Sequence, residues 1–152
     1  MKKIYYILIF LLFIIAGCSP KPIKNITAKS PEELFNKIQT LGKNFDASLA
    51  SLYSDEAIIE NKRTYPTGQE KVMKLTGKQY KALIKKVMPL AKARGDISTY
   101  SDIKFEKNDD TVKVTATRYS ELKKYKSPYE CILKKGKNGN WLIIKELSVS
   151  KP

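Results

Sequence analysis

The sequence predicts an α+β domain, with N-terminal helices packed on one face of a bent antiparallel sheet, and three features carry the prediction. Apolar residues recur at spacings of three and four from Leu34 to Leu52 and again from Tyr80 to Ala91. From Ile97 onward the period drops to two. Clusters of Gly, Asn and Asp punctuate that second half, so helices come first and a run of antiparallel strands follows.

Ser30-Pro31-Glu32-Glu33 opens the domain with a helix start, since Ser30 can cap, Pro31 suits the first turn and Glu33 stands three residues after the cap. Leu34, Ile38, Leu41, Phe45, Leu49 and Leu52 then form one apolar stripe. The stripe belongs to one amphipathic helix, or to two with a break near Gly42-Lys43-Asn44, and its expected role is core. Ala57 to Glu60 is a short strand, and Thr64 to Gly68 is turn chemistry before a second strand, Glu70 to Leu75. Thr76-Gly77-Lys78-Gln79 is another capping box. Behind it Tyr80, Leu83, Ile84, Val87, Met88 and Ala91 share one helical face, with lysines on the others. Pro89 removes a backbone donor and is expected to kink or shorten this helix, and Gly95 to close it. Val112, Val114 and Ala116 alternate with Lys113, Thr115 and Thr117. Tyr129, Cys131 and Leu133 alternate with Glu130, Ile132 and Lys134, and Trp141 to Val149 is the last strand. Asn108-Asp109-Asp110 and Gly136 to Asn140 supply turns.

Ahead of the domain, Lys2 and Lys3 precede an unbroken apolar run from Ile4 to Ala16, then Gly17 and Cys18. That order is a secretory signal, and the run falls short of the roughly 20 helical residues that span a bilayer. At Ile15-Ala16-Gly17-Cys18 the segment resembles the lipobox of bacterial lipoproteins. The resemblance implies cleavage before Cys18, acylation of Cys18 with diacylglycerol and palmitate, and, with Ser19 rather than Asp next, an outer-membrane address facing the periplasm. The alternatives are an ordinary signal peptide and an uncleaved anchor. The expected organisation is a signal peptide at 1–17, a lipidated cysteine with a flexible, solvated linker at 18–29, and a single domain at 30–152. The mature chain then keeps only Cys131 besides the anchor, so the core is held by packing without an internal disulfide, and Cys131 is expected as a buried filler.

Lys and Arg number 29 against 15 Asp and Glu, a net charge of +14. A nucleic-acid partner is not expected: the only arginines are Arg63, Arg94 and Arg118, the lysines are spread through every segment, and an exported protein rarely meets nucleic acid. Attraction of the lysines to anionic headgroups beside the anchor is a weaker reading of the same charge. The chain has no histidine, which removes the commonest acid-base group near neutral pH. No phosphate loop, zinc spacing, calcium loop or Ser-His-Asp set is present, and neither metal nor cofactor is expected.

The stretch Phe45-Asp46-Ala47-Ser48-Leu49-Ala50-Ser51-Leu52-Tyr53-Ser54-Asp55-Glu56-Ala57 is followed by Gly68, a helix from Thr76, and Asn138-Gly139-Asn140-Trp141-Leu142-Ile143-Ile144. Together these resemble the nuclear transport factor 2-like superfamily, which includes polyketide-cyclase-like and ketosteroid-isomerase-like proteins. The resemblance implies a cone, cystatin-like in architecture, in which a curved sheet wraps a long helix and leaves a cavity open at one end. Tyr53 and Trp141 match framework positions of that fold.

Counting by twos from Val112 lands on Arg118, so the apolar face of this strand ends in a guanidinium. Arg118 is therefore the candidate for receiving an anionic head group, with Tyr80, Tyr129 and Trp141 lining an apolar interior. The competing expectation is a twist or bulge at that point, or pairing with Glu130 or Glu146. The strand carboxylates Glu106, Glu121, Glu130 and Glu146 are expected to face solvent. The leading functional expectation is non-enzymatic binding of a small apolar or anionic amphiphilic ligand, or of an envelope protein, by a lipid-anchored domain. Against it stands an isomerase- or cyclase-type enzyme with Asp55, Asp102 or Glu146 as a buried base. A third role is a scaffold pairing through its outer sheet. A buried acid in the cavity within reach of a Tyr hydroxyl would favour chemistry; an all-apolar lining would favour binding.

Overall fold

The computed structural model describes residues 23–151. The predicted apolar stripe divides in two: α1 (Pro31–Lys43) and a 3-10 helix, Ala47–Leu52. Ser30 caps α1 by accepting from the Glu33 amide at 3.1 Å. Phe45, in the left-handed region at φ 53°, turns the chain, and the Asp46 carboxylate caps the next piece by accepting from the Ser48 amide at 2.8 Å. The alternative with a break near Gly42-Lys43-Asn44 is the one adopted, α1 ending at Lys43 with Asn44 as its C-cap.

β1 (Tyr53–Thr64) and β2 (Glu70–Thr76) form a hairpin and α2 (Gly77–Arg94) follows. β3 (Ser98–Asn108), β4 (Thr111–Ser120), β5 (Tyr125–Lys135) and β6 (Trp141–Ser150) complete one sheet of order β2-β1-β6-β5-β4-β3. All pairs are antiparallel except β1 with β6, which run parallel. β2 and β3, the strands that α2 joins, are the two edges of the sheet. The connection through α2 therefore runs from one edge of the sheet to the other, and the helix packs on β1, the 3-10 helix and β2.

Its start is fixed by the predicted capping box, Thr76 with Gln79, and by a close approach. A Cβ at Gly77 would lie 1.8 Å from the Ser54 carbonyl oxygen. Pro89 does not shorten α2, which runs on to Arg94. Pro89 and Lys85, whose carbonyl loses its helical donor, are both exposed, so water can satisfy it. β1 is much longer than the Ala57–Glu60 strand predicted, because pairing with β2 and β6 extends it into charged residues.

Three register shifts bend the sheet: between Tyr53 and Ile58 against β6, between Ser101 and Lys104 against β4, and between Ile132 and Leu133 against β6. The core inside the bend is built from Leu34, Phe35 and Ile38 of α1, Leu52, Ile84 of α2, and Val114, Cys131, Leu133 and Ile143 of the sheet. On the outer face of β1 and β2, the pairs Lys62–Glu70 and Lys74–Glu60 lie among the exposed Ile58 and Val72.

The linker differs from expectation. From Lys24 the chain is docked: the amides of Lys24 and Ile26 donate to Ser48 Oγ and Ser51 Oγ at 3.0 and 2.9 Å. Ala28 is fully buried, and its carbonyl accepts from the Trp141 amide at 2.9 Å. Residues 24–28 carry no apolar period because they are held through their backbone, which periodicity does not register. Cys18 and the signal segment lie outside the described residues.

Candidate functional site

Between the two helices and the concave sheet lies a cavity of about 270 Å³. Ile38 and Gly42 of α1 and Leu83, Ile84, Val87, Met88 and Ala91 of α2 form its apolar wall. The sheet side is polar, with Tyr53 and Asn61 of β1, Arg118 of β4, Tyr129 of β5, and Glu146 and Ser148 of β6.

Glu146 is 5% exposed. One carboxyl oxygen accepts from Tyr53 Oη at 2.6 Å and Tyr129 Oη at 3.0 Å, and the other meets Tyr80 Oη at 3.5 Å. Period-two counting sends Glu146 to solvent, and the structure corrects this. Ile132 pairs with Lys145 while Leu133 pairs with Ile143, so Ile144 is an extra residue, a bulge that reverses which side chains face inward. Beyond it Glu146 stands opposite the buried Cys131, and Ser148 opposite Tyr129.

Burial pushes the Glu146 carboxyl above the usual carboxylate range; hydroxyl donation from Tyr53 and Tyr129 and the charge of Arg118 pull it partly back. The tyrosines move with it. Burial, then the Glu146 charge, raises Tyr53 well above an ordinary phenol, and the Glu146 charge, then burial, does the same to Tyr80. Their hydroxyls stay protonated as donors to the acid. Burial likewise pushes the Cys131 thiol up, as befits a filler rather than a nucleophile.

Arg118 continues the inward row after Val112, Val114 and Ala116, as the alternation predicts. Its Nε donates to Ser127 Oγ at 3.3 Å, Nη1 to Ser98 Oγ at 3.4 Å, and Nη2 to Tyr125 Oη at 2.8 Å and the Val149 carbonyl at 3.0 Å. These four bonds leave one Nη1 hydrogen without a partner among the described residues. The charge meets no carboxylate: Glu130 pairs with Lys113 instead, at 3.0 Å, and Glu146 is held by tyrosines.

Of the residues singled out in the sequence, Arg118, Tyr80 and Tyr129 share this cavity. Trp141 does not line it: it starts β6 opposite Lys135 and packs half-buried against the core. Asp55 is exposed and paired with Lys81 at 2.9 Å, which lowers its pKa. Asp102 is exposed in the β3 bulge at φ 54°, bonded by Ser101. Only Glu146 of the three candidate acids is inside. Tyr53 and Tyr100, which edge-stack on Tyr80 and Tyr129 at 5.1 and 5.0 Å, and Phe45 add aromatic lining that sequence counting left out. Among the described residues no three His, Cys, Asp or Glu are placed to hold a metal.

No protein-family model matches the sequence, and no curated protein matches it. Solved structures do. An NTF2-like protein of unknown function from Pseudomonas putida KT2440 superposes with a TM-score of 0.60 at 11% identity, over 78% of this chain and 82% of that one. An NTF2-like protein with a cystatin-like fold from Novosphingobium aromaticivorans gives 0.52 at 13%, over 77% of each chain. A putative ketosteroid isomerase from Shewanella frigidimarina gives 0.54 at 14%, over 76% of this chain and 90% of that one. The fold is therefore NTF2-like, the α+β cone that the sequence resemblance implied. Such a likeness shows the fold and leaves the function to be argued from the site.

Proposed function

We propose that this is a lipid-anchored protein of the bacterial cell envelope, tethered through Cys18, whose cavity binds a small amphiphile. The ligand's apolar body lies against Leu83, Val87 and Met88, and its anionic or oxygen-rich head meets Arg118. The observation that carries this reading is the guanidinium in the cavity wall with only neutral acceptors around it and one N–H to spare. The test is native mass spectrometry of the protein purified from its own host membranes. A co-purifying amphiphile is expected, and Arg118→Ala should lose it. If that variant binds every anionic amphiphile tested as well as the parent does, the reading falls. Metabolic fatty-acid labelling checks the tether separately: an unlabelled Cys18 removes it.

One observation favours a second reading, an isomerase- or cyclase-type enzyme with Glu146 as base. Glu146 is the buried acid within reach of tyrosine hydroxyls that chemistry would require. Binding ranks first because two tyrosine hydroxyls already occupy one Glu146 oxygen, whereas Arg118 keeps an N–H to spare for a ligand. Glu146→Gln separates the two. A binding protein keeps its ligand in that variant; an enzyme accumulates an unconverted one.

A further inference from the structure

Among the described helices, α2 alone carries basic residues with no acid among them. The helix carries Lys78, Lys81, Lys85, Lys86, Lys92 and Arg94, with no Asp or Glu in its whole length. Lys78, Lys81 and Lys85 fall at i, i+3 and i+7, one stripe along the helix. Lys81 is engaged by Asp55, whereas Lys24, Lys78, Lys85 and Lys86 have no ion-pair partner among the described residues. Leu90, 52% exposed, stands one helical turn from both Lys86 and Arg94.

The path of the chain adds a second, independent observation. Ile23, Lys24 and Asn25 border a surface cleft together with Lys81 and Lys85. The chain is held there by the bonds of Lys24 and Ile26 to Ser48 and Ser51. Four residues lie between Cys18 and Ile23, and the five residue steps reach about 18 Å at most when fully extended. A tether at Cys18 therefore keeps Ile23, which borders the same cleft as Lys81 and Lys85, within about 18 Å of the plane where the acyl chains end.

We propose that the basic face of α2, with Lys24 beside it, docks on the anionic phospholipid headgroups of the bilayer that holds the tether. The inference rests on the anchored reading and goes beyond it by fixing which side of the cone meets the membrane. Charge complementarity supplies the attraction, Leu90 adds apolar contact at the interface, and the basic face reinforces the hold of the lipid tether. α2 also forms one wall of the cavity, so the docked orientation places the cavity next to the bilayer surface.

The experiment is lysine acetylation footprinting of the full chain held by its N-terminal segment on two vesicles, phosphatidylcholine alone and phosphatidylcholine with phosphatidylglycerol. Labelling of Lys24, Lys78, Lys85 and Lys86 should fall several-fold on the anionic vesicles and recover in high salt. Lys104 and Lys107 of β3, exposed on the far edge strand, should not change. The double variant Lys85→Glu, Lys86→Glu should abolish the protection of Lys24 and Lys78 while the chain stays attached. Equal labelling on both vesicles overturns the proposal. So does equal protection of Lys104 and Lys107, which would mean a general attraction of a cationic protein. The mass of the N-terminal peptide of the host-made protein separates the two readings. Unprotected lysines with a lipidated Cys18 sink this surface alone, whereas an unlipidated Cys18 sinks the tether and this surface with it.

Discussion

Besides the exposed Asp96, the cavity is lined by one buried acid, Glu146, and one arginine, Arg118, an acidic and a basic pole that the fold treats in opposite ways. Glu146 is enclosed by three tyrosine hydroxyls, and its carboxyl can shed its charge by taking a proton. Arg118 cannot discharge, so its cost of burial is met by dipoles: two serine hydroxyls, a phenol and a carbonyl from β3, β5 and β6. The acidic pole is thus a pH-responsive part of the core, while the basic pole is a permanent charge with coordination to spare. A ligand gains more at the second than at the first.

The largest way to break the comparison is to displace one pole and leave the other. Tyr80 sits on α2, which Gly77 holds against β1. In Gly77→Ala the new methyl meets the Ser54 carbonyl oxygen at 1.8 Å, a backbone atom that cannot swing aside. A loss of about 3 kcal/mol or more is expected in urea unfolding, since α2 must shift bodily. Tyr80 and Tyr53 should separate, and the bonds of Arg118 on β4 should survive; chemical shifts at Tyr80 and Arg118 read the two poles independently.

Next comes the charge of the acidic pole. The folded-state pKa of Glu146 is raised, so the native protein holds this proton more tightly than the unfolded chain does. The sign follows: the group's contribution to stability is full below the unfolded carboxyl value near 4.3 and declines as pH climbs through the folded value. The slope in that window is at most about 1.4 kcal/mol per pH unit. Glu146→Gln keeps the shape and removes the titration. Its stability relative to the parent should improve steadily above about pH 4.5 and change little below. A constant difference across that range would refute the raised value.

Arg118→Lys tests the other pole. The charge stays, the fork is lost, and the acceptors on Ser98, Ser127 and Val149 are only partly recovered, for a cost of about 1 kcal/mol. This cost should not vary between pH 4 and 8, the contrast with Glu146 that the comparison demands.

The sequence made the two poles unequally legible. Arg118 follows from strict alternation along β4, where nothing interrupts the pairing with β5 from Thr111 to Ser120. Both helices, their caps and the hairpin turns were equally open to counting, because their signals lie within a few residues of each other. Glu146 was not. Trp141, Ile143, Leu147 and Val149 share one parity, so the pattern names the wrong inner face beyond Ile144. The bulge that corrects it is set by the partner strand, and no residue type in β6 announces it. The docked linker was illegible for a similar reason: Ser48 and Ser51, some 25 residues away, satisfy its amides.

The smallest expected effect separates the three tyrosines of the acidic pole. Tyr53 and Tyr129 bond one Glu146 oxygen at 2.6 and 3.0 Å, whereas Tyr80 reaches the other at 3.5 Å, the limit of a useful bond. Tyr80 is also only half-buried and lines the cavity, so water or a ligand can replace its hydroxyl. Tyr80→Phe should therefore cost about 0.5 kcal/mol or less, against about 1–3 kcal/mol for Tyr53→Phe, which strips a donor from a buried acid. Denaturant midpoints of the two variants at neutral pH make the comparison. Equal losses would show that Tyr80 is as much a part of the closed network as Tyr53. Glu146 would then have no oxygen free to meet a ligand, and recognition would be left to Arg118.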